Sequence, residues 1–336
     1  MRAPESWTLA DSIRFPKVEE ASESRSALRS VAAGDGAGDD AVAALALELS
    51  SYGAGERHPV RYEPFVDSRF TDGEAGVADE GEGTLRGTCV VVPGVLGSGS
   101  AAHIVGPLAR EGWAVAVVWP PLVDRVIEAM REGRELSREE LGAAVAREVD
   151  RTVLDAARVA QLELRWLHAR HPELAAKPVL LVGESMGAIA GVGMAASGEV
   201  PFDAALFVAG GGGFLDVAAS TPIRPVLFGD LPIADGAFVR GFAATSRYDP
   251  LVAARSLATA PVAVLTARID FIVPTACQES LRQALGKPPR FVFERGHIEL
   301  FTMGGAHVMP VVRELAARVG DRSMAAAALS ATAPSP

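Results

Sequence analysis

The chain has 336 residues, 49% of them hydrophobic and 22% charged, which is enough apolar material for a substantial core in one large domain or two. A formal net charge of −10 argues against nucleic acid and against an anionic membrane surface as partners. The only cysteines, Cys89 and Cys277, imply no disulfide framework, no run nears the roughly 20 apolar residues of a membrane span, and charges throughout Met1 to Glu20 leave no apolar leader core, so a cytoplasmic protein is expected.

Residues 1–58 read as an N-terminal segment, mobile in large part, with one helix over Ala41 to Leu49 capped by Asp39 or Asp40. Val60 to Phe70 reads as an early strand, and Asp72 to Gly83 as an acidic, glycine-rich loop. From Gly87 the pattern becomes regular. Thr88 to Val92 is a buried strand running into Pro93-Gly94-Val95-Leu96-Gly97, followed by a helix over Ala101 to Glu111 and a second apolar strand over Trp113 to Trp119. Helices are predicted over Val123 to Glu135 and Ser137 to Arg170. In the longer one, apolar residues from Leu141 to Leu167 recur every three or four positions, and Ser137 with Glu140 forms a capping box.

Strands are further expected at Val179 to Val182, Ala204 to Ala209, Val262 to Ala267 and Phe291 to Phe293, with a last helix over Val308 to Val319. Apolar strands alternating with helices predict an α/β fold: a mostly parallel central sheet covered by helices on both faces. Residues 59–320 form this domain, with a small insertion at about 211–260, and residues 321–336, rich in Ala, Ser and Pro, read as a disordered tail. Gly210 to Gly213 lacks the spacing of a nucleotide loop and reads as a flexible lead into the insertion. No His/Cys/Asp cluster has metal-ligand spacing, so neither metal nor cofactor is expected.

The informative stretch is Val179 to Gly187. An apolar strand ends in Gly183-Glu184-Ser185-Met186-Gly187, and the small, uncharged run Ala188 to Ala196 follows. This is strand, tight turn and buried helix, the setting in which Gly-x-Ser-x-Gly holds a serine above a sheet at a helix N-terminus. A serine hydroxyl needs a base, and the base needs an orienting carboxylate. In a parallel sheet such partners belong just past strand ends. Asp270 follows the strand at Val262 to Ala267, and His297 follows the strand at Phe291 to Phe293.

With Ser185, Asp270 and His297 in that order, the chain resembles the α/β-hydrolase superfamily over roughly residues 60–320. The resemblance implies Ser185 as nucleophile, His297 as general base and acid, and Asp270 as the residue fixing the imidazole tautomer. It also implies an oxyanion hole from the backbone N–H groups of Met186 and Val95, although Pro93-Gly94-Val95 stands where His-Gly-x is common. Ala188 stands where many relatives have Gly. The implied activity is cofactor-independent hydrolysis of a small-molecule ester, thioester or amide. Carbon–carbon bond hydrolysis and a non-catalytic binding role are the alternatives.

Several residues compete for roles. Asp216 lies past the preceding strand, where some members place the acid, and Asp249 in Tyr248-Asp249-Pro250 reads as a helix cap. Glu184 reads as a polar residue at the rim of the turn, or as a charge acting on His297. Glu299 reads as solvated. Of the other histidines, His103 lies just after the oxyanion loop, His168 and His171 sit near a helix end, and His58 and His307 have no strand-end setting. The insertion is expected to form a small cap whose inner face, with Phe214, Phe228 and Phe238, makes an apolar acyl pocket favouring short-to-medium chains.

Overall fold

The computed structural model describes residues 61–65, 85–95, 98–229, 231–303 and 305–331. The expected N-terminal helix and loop, and His58, lie outside the described residues. In chain order the elements are β1 (Arg61–Phe65), β2 (Gly87–Val92), α1 (Ser98–Arg110), β3 (Trp113–Trp119), α2 (Leu122–Glu132) and α3 (Arg138–Arg170). After a 3-10 turn come β4 (Val179–Glu184), α4 (Met186–Ser197), β5 (Ala204–Val208), α5 (Phe214–Ser220), α6 (Arg224–Leu227), α7 (Gly236–Thr245) and α8 (Pro250–Ala253). A second 3-10 turn leads to β6 (Val262–Ile269), α9 (Thr275–Ala284), β7 (Arg290–Gly296), α10 (His297–Met303) and α11 (Gly305–Ala331).

The strands form one sheet in the order β1-β3-β2-β4-β5-β6-β7, with β1 antiparallel to β3 and every other pair parallel. The runs at β2, β4 and β5 are buried throughout, as strands covered on both faces require. One face carries α2, α3, α4, α5 and α7 over Val90, Leu181 and Phe207. The other carries α1, α10 and α11 over Val91, Val182 and Val208. After β2 the chain turns to β3 on one side; after β4 it turns to β5 on the other. The helices α1 and α4 therefore leave neighbouring strand ends toward opposite faces, opening a crevice at the carboxyl edge between β2 and β4.

The capping box at Ser137 and Glu140 is present, and α3 runs 33 residues from it. Val153 of α3 lies against Gly193 of α4. At 1.5 Å per residue, Gly193 is about 10 Å below the head of α4 and Gly142 about 16 Å above Val153, so the first turns of α3 rise above the level of Ser185. Helix α7 packs there. A Cβ on Gly142 would lie 2.0 Å from the carbonyl oxygen of Phe238, and one on Gly241 would lie 1.9 Å from that of Glu139, so the two backbones touch.

Two expectations are corrected. Helix α11 continues to Ala331 where a disordered tail was expected, because the Ala-rich run after Met324 has the highest intrinsic helix propensity. Gly210 to Gly213 is not a flexible lead: all four residues are buried. A Cβ on Gly210 would lie 2.5 Å from that of Ala188, so Gly210 makes room for the methyl at the head of α4. Among the described residues, no helix is long and apolar enough to cross a membrane.

Candidate active site

Ser185 sits between the end of β4 and the start of α4 with φ 52° and ψ −118°, a conformation non-glycine residues rarely adopt. Its N–H donates to the carbonyl of Val208, and its own carbonyl accepts from Ala188 and Ile189, which fastens the turn to β5 and to the helix. The flanking glycines are required by close approach. A Cβ on Gly183 would meet the Ala188 backbone at 2.7 Å, and one on Gly187 would meet the carbonyl oxygens of Val92 and Pro93 at 2.0 and 2.4 Å.

The three residues expected to act together are brought together. Nε2 of His297 lies 3.0 Å from Oγ of Ser185, and Nδ1 lies 2.7 Å from Oδ2 of Asp270. A carboxylate only accepts, so Nδ1 carries the proton that donates to Asp270 and Nε2 is left to accept from the serine hydroxyl. All three side chains are buried. Asp270 is held in turn: Oδ1 accepts from the N–H groups of Ile272 and Val273, and Oδ2 accepts from Nε2 of Gln278. Gln278, buried on α9, also donates to the Val273 carbonyl. The sequence reading missed Gln278. The signal was its place one helical turn into the segment that follows the Asp270 loop, on the face shared with Leu281.

Met186 is the first residue of α4, so its N–H has no intrahelical acceptor and points out of the helix head beside Ser185. Val95 follows Gly94, whose Cβ position lies 3.2 Å from that of Ser185. The residue before Val95 thus lies against the serine, and Met186 follows the serine directly in the chain.

The rivals are placed elsewhere. Asp249 caps α8 by accepting from Leu251, and it also accepts from the N–H of Phe214. Burial pushes its carboxyl above the usual range. Asp216 is exposed in the first turn of α5, and Glu299 is exposed. His307 packs against Phe293; His168 and His171 are half-buried, and desolvation lowers both.

Glu184 is not at the rim. It is fully buried, and its Oε1 lies 3.1 Å from Nε2 of His103 on α1. Side chains alternate across a strand, and Leu180 and Val182 already face α1, so Glu184 must face it too. Burial raises its carboxyl above the usual range, an effect opposed by His103 and more weakly by His297.

Phe214, Phe228 and Phe238 are 1%, 3% and 0% exposed and lie in the same core cluster as the sheet. Phe214 meets Phe228 edge-on and stacks on Phe242. In this structure they pack the insertion onto the domain and offer no open face to a ligand. Among the described residues, the exposed large apolar groups next to triad members in the chain are Ile269 (65%) and Phe271 (60%), either side of Asp270, and Ile298 (50%), next to His297. Among the described residues, no group of three His, Cys, Asp or Glu is placed to hold a metal ion.

No family model matches the chain, and no curated protein sequence matches it. Its structure is similar to that of an esterase from Pyrococcus furiosus, at 17% identity and a TM-score of 0.45, covering 69% of this chain and 82% of that one. It is also similar to an acylaminoacyl peptidase from Pyrococcus horikoshii, at 16% identity and a TM-score of 0.44, covering 66% of this chain and 34% of the peptidase. The chain thus spans about a third of the peptidase's length. A thioesterase domain from the curacin biosynthetic pathway is similar at 12% identity and a TM-score of 0.42, covering 76% and 95%. The fold follows from this chain's own strand order, its strained strand-to-helix serine turn and the succession Ser185, Asp270, His297. By those features the chain has the α/β-hydrolase fold.

Proposed function

We propose that the chain is a cofactor-independent serine hydrolase of carboxylic ester-type bonds. The observation that carries this reading is the unbroken run of contacts from Asp270 through His297 to Ser185, at 2.7 and 3.0 Å, on a serine held in a strained turn. In the first half-reaction His297 Nε2 takes the hydroxyl proton as Ser185 Oγ attacks the acyl carbon. Asp270 holds the resulting imidazolium, and the N–H groups of Met186 and Val95 receive the oxyanion. His297 then protonates the departing alcohol, leaving an acyl-enzyme. In the second half the same nitrogen activates water, and the acid leaves with Ser185 restored.

A binding role would give no reason to hold Ser185 at φ 52° against His297, since such strain is unfavourable by about 1–3 kcal/mol. The substrate's apolar portion is assigned to Ile269, Phe271 and Ile298, the exposed apolar groups that flank Asp270 and His297. The first turns of α3 with α7 form a partial cap on the opposite side. A cytoplasmic setting fits the two free, buried cysteines.

The test is Ser185→Ala on the full chain. Hydrolysis of p-nitrophenyl butyrate should fall by on the order of 10⁴-fold or more, and fluorophosphonate labelling should vanish, with thermal stability retained. An alanine variant that keeps most of the parent's activity would remove the reading.

A further inference from the structure

Glu184 and His103 take no part in the proton transfers above, yet they form a buried acid–imidazole contact directly behind the nucleophile. Glu184 is the last residue of β4 and is fully buried; His103 lies in the second turn of α1, the helix that follows the loop carrying Val95. That loop meets the turn at two further described points: the Gly94 Cβ position lies 3.4 Å from the Glu184 carbonyl oxygen and 3.2 Å from Ser185 Cβ, and a Cβ on Gly187 would lie 2.4 Å from the Pro93 carbonyl oxygen. The far side of α1 is also anchored. A Cβ on Gly305, at the head of α11, would lie 2.2 Å from the His103 carbonyl oxygen. The His103 ring meets Phe301 edge-on at 6.0 Å, and Phe301 meets His297 at 4.6 Å. His103 is thus the point at which the strand before the nucleophile, the helix after the oxyanion loop and the wall behind the imidazole are joined.

We propose that the Glu184–His103 pair is a positioning clamp: it holds α1, and with it the Val95 N–H, at the distance from Ser185 that an oxyanion requires. The proposal rests on the serine-hydrolase reading. A buried carboxylate is an expensive way to fill space, because an apolar residue of similar size packs there without desolvation. What the pair adds over an apolar contact is direction and a fixed length between the end of β4 and α1. Neither side chain touches the reacting atoms.

An oxyanion donor acts chiefly in the transition state, so a displaced donor should lower kcat and leave KM nearly unchanged. Removing one donor lowers kcat by about 10²–10³-fold, and displacing it should lower kcat by roughly 10–10²-fold. The experiment compares His103→Leu, His103→Gln and the double variant His103→Leu/Glu184→Leu with the parent, by kcat and KM on p-nitrophenyl butyrate and by thermal unfolding. Leucine at 103 leaves the carboxylate unpaired; glutamine can still donate to it. The double leucine variant removes the buried carboxyl group and restores packing without the acid–imidazole contact.

The clamp predicts that His103→Leu loses both stability and kcat. His103→Gln recovers most of the kcat. The double variant recovers stability while kcat stays at least about tenfold down at constant KM. A double variant with parental kcat would overturn the clamp, because the pair would then be packing alone. If the double variant does not fold, the two single variants decide: equal kcat for leucine and glutamine at 103 overturns the proposal. A parent without Ser185-dependent hydrolysis overturns the function and the clamp together, whereas activity that is present but indifferent to these changes overturns the clamp only.

Discussion

Gly187→Ala is the most direct test of the geometry around Ser185. The added Cβ would lie 2.0 Å from the carbonyl oxygen of Val92 and 2.4 Å from that of Pro93, both backbone atoms. An ordinary contact begins near 3.4 Å, so about 1.4 Å of movement must be found in the turn or in the strand end that leads to Gly94 and Val95. Forcing a methyl into such a contact is unfavourable by about 1–3 kcal/mol. At roughly 2–4 °C per kcal/mol for a domain of this size, Tm should fall by about 2–12 °C. The chemical effect should be larger. A displacement near 1 Å between nucleophile and oxyanion donors lowers turnover by about 10²-fold. The assay is kcat and KM on p-nitrophenyl butyrate beside a thermal melt of the same preparation. A variant with parental kcat and Tm would refute the contact between the serine turn and the loop after β2, and with it the assignment of Val95.

Asp270→Asn should lower kcat by about 10⁴-fold by favouring the wrong imidazole tautomer. Asp249→Asn should lower stability by about 1 kcal/mol with kcat unchanged, because Asp249 only caps α8 and receives Phe214 N–H; the reverse ranking in kinetics and melts would move the acid to Asp249. Phe271→Ala and Ile298→Ala should flatten the rise of kcat/KM along a p-nitrophenyl ester series. A half-exposed wall supplies about half of the roughly 0.8 kcal/mol per buried methylene, which is about twofold per carbon in the parent; a parental slope in both variants would remove these residues from the substrate path. Because burial raises the Glu184 carboxyl, the folded chain binds its proton more tightly than the unfolded chain does. Its contribution to stability therefore falls as pH rises from the ordinary carboxylate range upward. Glu184→Gln should raise Tm relative to the parent more near pH 8 than near pH 5. Asp249 shifts the same way and His168 and His171 the opposite way, so the difference between variant and parent is the measure. A gap independent of pH would contradict the burial assigned to Glu184.

The local chemistry of this chain was legible without coordinates. Apolar runs at Thr88 to Val92 and Val179 to Val182 could only be strands covered on both faces, and Ser137 with Glu140 could only begin a helix. Ser185, Asp270 and His297 could be named because each stands immediately past a strand, where a parallel sheet gathers its loop ends. These readings rest on periodicity and on residues adjacent in the chain. The direction of Glu184 was written in the same alternation, two residues beyond Val182, but the His103 that meets it is 81 positions away and on another element. Which apolar groups of the insertion are core and which face a substrate was undecidable from composition. Phe214, Phe228 and Phe271 are the same side chain, and only the packing of the insertion, where Phe214 meets Phe228 and Phe242, buries the first two while the turn after β6 leaves the third in solvent. The helical place of Gln278 could be read, but its partner could not: its amide reaches Asp270 across a turn whose closure is set by the carboxylate it helps to hold. Hydrophobic pattern determines what a segment becomes; distance across the fold determines what a side chain does, because contact energies fall off over a few ångströms and sequence spacing does not measure them.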